Sequence, residues 1–308
     1  MKHCVMAVAL ALVMVVSIKA ADNGVTLIGM GLIPGTALDR SGFAGQSICQ
    51  FDDPANCIDQ ATLGGFGSAL AYTGFDDVFL AVRDRGPFDG RTDVPYLDRF
   101  HFLQLTVDRA AAFPNIRSVL LDTRLMKAPG NLDLVGSSAE FDHRFDPEGV
   151  AVGRSGTFFV SDEYGPAINE FNRQGHLVRR IAIPEKFLIG NPSGDVDAAG
   201  NSLELSPALN TSGRQANRGM EGLAITPDGR YLFGMMQNAL IQDNGLNTAV
   251  PPGRVGLNTR LLEVDLKTGA TSEYVYTVDA IGQGRGVNDL VAINDHQFLV
   301  VERDNRSL

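Results

Sequence analysis

The stretch Pro147–Gly165, "PEGVAVGRSGTFFVSDEYG", decides the fold. Two short apolar runs, "GVAV" and "TFFVS", flank the turn residues "GRSG", and each run has acids at one end: Glu148 before the first, Asp162 and Glu163 after the second. Runs of this length bounded by Gly and Ser read as β-strands joined in a hairpin.

Three further stretches share the plan: "GSALAYTGFDDVFLAVRDRG" from Gly67, "MEGLAITPDGRYLFGMMQN" from Met220 and "NDLVAINDHQFLVVERDN" from Asn288. Aligning Ser68, Glu148, Glu221 and Asp289 separates the units by roughly 70 to 80 residues, a period of the repeat-architecture kind. After the first three units come two more strand-like runs each: "RFHFLQLTVD" with "SVLLDT", "AINEF" with "HLVRRIAIP", and "RLLEVDL" with "SEYVYTVD". Four strands per unit, with almost no 3.6-residue apolar periodicity, predict an all-β fold, a β-propeller of four-stranded blades. A β-sandwich of the same hairpins is the competing architecture, but it does not require periodic self-similarity. The fourth unit stops after its second strand. Either the strand around "VTLIGMGLIPG" completes it by ring closure, or the last blade is truncated.

In a propeller the first strand of each blade lines the centre, so equivalent positions converge. Glu148, Glu221 and Asp289 share the place before the first strand, and the ends of the second strands supply Asp84-Arg85, Asp162-Glu163, Gln237-Asn238 and Arg303-Asp304. Arg144, Arg218 and Arg285 stand three or four places before the acids. Oxygen ligands from several segments, without sulfur or paired histidines, suit a hard cation such as calcium. The expected metal ligands are Asp84, Asp162, Glu163 and Asp289; Glu148 and Glu221 are the candidate catalytic acids, with His143 as a candidate proton carrier beside Arg144. Arg83, Arg85, Arg144, Arg218 and Arg303 are the candidate anion-binding cations. The alternative is that these acids and arginines pair among themselves to hold the units together.

The motifs "RDRGP" (83–87), "DPEGVAV", "FFVSDEYGP", "NRGMEGLAITPDGRYLF" and "VNDLVAINDHQFLVVERDN" together resemble the phytase-like propeller family, described as having esterase-like activity. The resemblance runs from about Val25 onward. It implies an exported hydrolase of phosphoric or carboxylic esters using calcium, with Asp84, Glu148, Asp162, Glu163, Glu221 and Asp289 in acidic positions and Arg83, Arg85 and Arg303 in basic ones. Members of such a family continue beyond "VVERDN" into further strands.

The chain has 308 residues, 26 basic and 36 acidic. An opening "MKHCVMAVALALVMVVSIKA" reads as a secretory signal cut near Ala20, since its apolar run falls short of a bilayer span. Removing Lys2 and Lys19 takes the formal charge from −10 to −12. That excludes a nucleic-acid partner, which needs a basic footprint. A periplasmic or secreted monomer is expected, acting on a small anionic ester and free of the membrane after cleavage. Cys49 and Cys57 flank "QFDDPAN" and are expected to form a structural disulfide in an oxidising compartment.

Other chemistries are not encoded. No G-x-S-x-G pentapeptide occurs. The histidines are scattered and form no zinc pattern. "GQGRG" at 282–286 precedes a strand and reads as a turn. Ser68 and Ser161 are serines near the acids without an evident base. Sequons at Asn210 and Asn305 are short matches of the kind that arise by chance. The Gly-, Asn- and Ser-rich stretch 190–219 reads as a long loop leading into Arg218 and Glu221, placed to shape a substrate site.

Overall fold

The computed structural model describes residues 27–303 apart from 65–67, 89–90, 93, 137–142, 194, 200 and 280–285. The expected leader, Arg285, Asp304 and Asn305 lie outside the described residues. Among those described there is no α-helix, and the regular structure is strands with four short 3₁₀ turns.

Strands β1 (Ser47–Gln50) and β2 (Asp53–Asp59) form a hairpin. Sheet I joins β3 (Ala69–Tyr72), β4 (Val78–Val82), β6 (Arg99–Val107) and β7 (Ile116–Leu125) in that order. Short strands decorate it: β5 (Tyr96–Leu97) pairs with β10 (Val135–Gly136), and β8 (Lys127–Ala128) with β9 (Leu132–Asp133). Sheet II is β11 (Pro147–Val152), β12 (Phe158–Asp162), β13 (Ala167–Phe171) and β14 (Leu177–Ile181). Sheet III is β15 (Met220–Ile225), β16 (Tyr231–Met236), β17 (Asn258–Asp265) and β18 (Thr271–Thr277). Sheet IV has two strands, β19 (Gly286–Ala292) and β20 (Phe298–Arg303). Every pairing within these sheets is antiparallel and follows chain order, as the repeated hairpins predict.

Because successive strand residues point to opposite faces, one strand can serve two cores. Phe158 and Val160 of β12 pack with Leu80, Val82 and Phe100 of sheet I. Their neighbour Phe159 packs the other way, with Leu223, Leu232 and Leu262 of sheet III. Ala224, Phe233 and Met235 of sheet III then meet Val287 and Leu290 of sheet IV. The four sheets are thus stacked face to face, with an apolar layer between each consecutive pair. Phe100 is locked edge-on against Phe158 and Phe171, ring centroids 5.4 Å away in each case.

The first strands of adjacent sheets lie side by side, closely enough to require glycine. A Cβ on Gly149 would stand 2.5 Å from the Leu223 amide nitrogen, and one on Gly222 would stand 2.7 Å from Leu290 Cδ2. Gly149→Ala should therefore cost about 2 kcal/mol or more through backbone displacement. A denaturant midpoint unchanged from the parent would refute this close approach.

The described part of the "VTLIGMGLIPG" stretch, residues 27–35, one expected route to completing the fourth unit, runs instead beside the start of β7: the amides of Asn115 and Ile116 both donate to Met30 O, and Asn115 Nδ2 donates to Ile28 O. Cys49 and Cys57 are bonded across the β1–β2 hairpin, as expected. By loop-closure reasoning, replacing both with serine should lower stability by about 2–3 kcal/mol, readable in urea titration with and without reductant. The Asn210 side chain is buried and committed to Asn191 and Glu204, so its sequon is not available as an acceptor.

Candidate functional site

A β-bulge opens the first strand of sheets II, III and IV. Pro147 pairs with Asp162 and Val150 with Val160, leaving Glu148 and Gly149 opposite Ser161 alone. In sheet III, Met220 pairs with Met236 and Gly222 with Met235, leaving Glu221 unpaired in the ladder. Bulges of this kind re-aim a side chain. The hydroxyl of Ser161 secures the first by accepting from Gly149 N (2.7 Å) and donating to Glu221 O (3.3 Å), so this serine is a backbone clamp between two sheets.

The result is a knot of carboxylates. Oxygens of Asp84, Asp146 and Glu148 lie within 4.8 Å of one another, and so do those of Glu148, Glu163 and Glu221. Glu148 belongs to both groups. Four of the five residues are buried, and the Asp84 side chain is half exposed with its Oδ1 turned inward and buried. Asp146 comes from the turn before β11; Asp84 and Glu163 follow the ends of β4 and β12, as the converging-ends expectation required. Glu163 N donates to Asp146 O at 3.0 Å, tying the two turns together.

Arg85 reaches into this knot, donating from Nη1 to Asp146 Oδ2 (2.5 Å) and lying 3.5 Å from Glu163 Oε2 and 3.3 Å from Asp84 Oδ1. Arg303 Nη2 lies 4.0 Å from Glu221 Oε1. Arg218 is close enough to Glu163, Glu221, Arg303 and Arg85 for each to affect its titration, and burial weakens its hold on its proton.

Charge crowding shows in the titration of the acids. Burial, and then Glu221, Glu163 and Asp84, push the Glu148 carboxyl well above the usual range; a hydrogen bond from Ser68 opposes them. Burial and Glu148 likewise raise Asp146, against the pull of Arg85. Glu221 rises to about 8 through burial and Glu163, opposed by Arg303, Gln237 and Arg218. Oxygens Glu163 Oε1 and Glu221 Oε2 are buried and accept no hydrogen bond. Crowded, desolvated carboxylates with orphaned oxygens are what a cation would relieve.

Comparison with known proteins bears on this geometry. A family model described as "Phytase-like: Esterase-like activity of phytase" matches residues 61–308, most of the chain and all of the carboxylate knot. The chain belongs to the phytase-like family. It is also 28% identical over 303 residues to a protein of Arthroderma benhamiae described as an uncharacterized secreted protein, covering 81% of this chain. The phytase-like chain spans about half, 54%, of that relative's length. No helix among its described residues is long and apolar enough to cross a membrane.

Not every expected site residue of this phytase-like chain joins the knot. Asp162 sits one residue away from it, its Oδ1 accepting the amides of Asp146 and Tyr164 at 3.1 Å each; burial raises it to about 6. Asp289 accepts the amide of Leu290, is raised by burial to about 6, and belongs to neither carboxylate group. Its absence has a register cause: Val287 pairs with Glu302 and Asp289 with Val301, so the extra residue of this bulge is Asn288, the counterpart of Glu221. Arg83 turns to the N-terminal side, donating to Thr62 O (2.8 Å) and lying over the Tyr96 ring. Arg144 stacks on Tyr164 at 3.6 Å and, with His143, lines a neighbouring cavity. Asp146 was not among the sequence candidates, although an acid directly before the Pro-Glu of "DPEG" was in plain view. A second missed acid, Asp98, is buried with both oxygens lacking hydrogen bonds, and burial drives its carboxyl well upward.

Proposed function

We propose that the chain is an exported β-propeller hydrolase of phosphoric or carboxylic esters, with calcium held by the convergent carboxylates. The observation that carries this reading is the meeting of Asp84, Asp146, Glu148, Glu163 and Glu221 from separate segments, with Arg85 and Arg303 against them. The propeller is supported by four repeated antiparallel sheets stacked face to face with their first strands adjacent. Export is supported by the signal-like opening and by the secreted relative.

The donor set fits a hard cation, being all oxygen and including buried oxygens with no hydrogen bond. Glu148, shared by both groups, would be the central ligand, with Glu163, Glu221, Asp146 and Asp84 around it. A calcium ion bound there supplies Lewis acidity toward an ester oxygen. The chain's own part is positional. Arg303 and Arg218, beside Glu221, offer guanidinium donors to charge developing on a phosphoryl or acyl oxygen, while Arg85 holds Asp146 and Glu163 in place.

The pairing of Arg85 with Asp146 and Glu163 favours a second reading, a secreted ligand-binding propeller in which the charges are structural. A panel of phosphate monoesters and short acyl esters separates the two. Turnover that chelator abolishes is the expected result; a folded protein inert toward every member leaves only the binding module.

A further inference from the structure

Adjoining the carboxylate knot is a cavity of about 660 Å³, within the range of small-molecule sites. Tyr164 forms part of their shared wall: it lines the cavity, and its ring is 5.7 Å from the guanidinium of Arg85, which binds Asp146 in the knot. The stretch 190–219 supplies Ser193, Ser202, Glu204, Arg214, Ala216 and Asn217 to the lining.

The lining is of two kinds. Leu132, Leu134, Phe145 and Leu177 are apolar; Arg144, Arg180, Arg214 and Arg254 bring four guanidiniums, with His143 beside them. Only two carboxylates stand among the described lining residues, and both are already engaged. Glu204 is locked to Arg214 by two hydrogen bonds of 2.6 and 3.0 Å in a buried pair, and Asp162 accepts backbone amides. Arg180 spends its Nε on the neutral side chain of Asn169, and Arg254 donates to Ala216 O; neither makes an ion pair among the described residues. The described lining thus carries more cations than carboxylates, in a chain whose overall formal charge is −10.

We propose that this cavity binds an organic anion with an apolar body: a carboxylate or phosphate monoester on an alkyl or aryl group. The guanidiniums of Arg254 and Arg180 receive the charged head by forked hydrogen bonding, and the leucines with Phe145 take the apolar body. Such binding stands whether or not the neighbouring carboxylates hydrolyse anything, and it needs no cation.

Calorimetric titration of the full-length folded protein in chelator tests it, with four probes: octanoate, phenyl phosphate, inorganic phosphate and octan-1-ol. Saturable binding of octanoate or phenyl phosphate, at least tenfold tighter than either inorganic phosphate or octanol, is the expected result, and which of the two prevails identifies the head group. Arg254→Gln, at an exposed residue with a single hydrogen bond, should weaken that binding at least tenfold without moving the melting temperature. No saturable binding of either anion, equal binding of octanol or of inorganic phosphate, or a folded Arg254→Gln protein of unchanged affinity overturns the proposal. Because the titration is done in chelator, its failure is distinguishable from failure of the calcium-dependent hydrolase reading.

Discussion

Saturating calcium should raise the melting temperature of the chelator-stripped chain by about 10 °C if the carboxylates hold the ion as proposed. A ligand that binds only the native state stabilises it by RT ln(1 + [L]/Kd), about 4 kcal/mol at a thousandfold excess over Kd. For a chain of this size each kcal/mol moves the midpoint by roughly 2–4 °C. The expected origin is the crowding of Glu148 with four other carboxylates, in which one oxygen each of Asp84, Glu163 and Glu221 is buried without a hydrogen bond. Scanning calorimetry with calcium, magnesium and chelator reads it directly. A midpoint indifferent to calcium means that the arginines alone neutralise the knot.

The same crowding makes the metal-free protein pH-sensitive in a defined direction. Glu221 titrates near 8 in the folded state against an ordinary value of 4.5, so between those limits the native chain holds a proton the unfolded chain has released. Stability in chelator should therefore fall as pH rises from about 5 to 8, by on the order of 3–4 kcal/mol, and bound calcium should remove most of that fall. A chelated protein more stable at pH 8 than at pH 5 contradicts the carboxylate assignment.

The second large effect is catalytic. Glu148→Gln and Glu221→Gln each keep the shape of the side chain while removing one charge, and each should reduce ester turnover at least a hundredfold, the scale seen when one preorganised electrostatic group is lost. Both variants should stay folded, because each substitution removes a buried, proton-hungry carboxylate from a crowded site. Asp295→Asn, on an exposed turn, should leave turnover unchanged. Comparing kcat and KM at fixed calcium separates loss of the ion from loss of the reaction: activity restored by excess calcium assigns the residue to ion binding. Full activity in either folded variant sinks the hydrolase site as drawn.

The strands were readable because each carries its own pattern: "FFVS" and "LFGMM" bury both faces against neighbouring sheets, so short unbroken apolar runs between turns were a sufficient signal. Glu148, Glu163 and Glu221 were readable because repetition puts equivalent positions together. What escaped was register and direction. Asp289 and Asn288 differ by one place along the chain, and the bulge in β19, invisible in the letters, decides which of them matches Glu221. Arg83 and Arg85 look interchangeable in "RDRGP", yet Gly64, held at φ +58°, leaves room only for the Arg83 guanidinium to turn toward the N-terminal segment, a contact across some twenty residues that no local motif announces. Asp146 owes its role to Arg85, sixty-one positions earlier.

The bulges carry a consequence of a different sort. A residue that the hydrogen-bond ladder skips can be exchanged without unpicking the sheet around it. Glu221 and its counterpart Asn288 are such residues, and Glu148 shares its bulge with the glycine that the neighbouring strand requires. The framework thus separates what keeps it folded from what it does: one set of side chains, between the sheets, is under constraint, while another, at the strand openings, is free to vary. A scaffold arranged in this way can change its chemistry by single substitutions at a few known places, with the apolar layers left untouched.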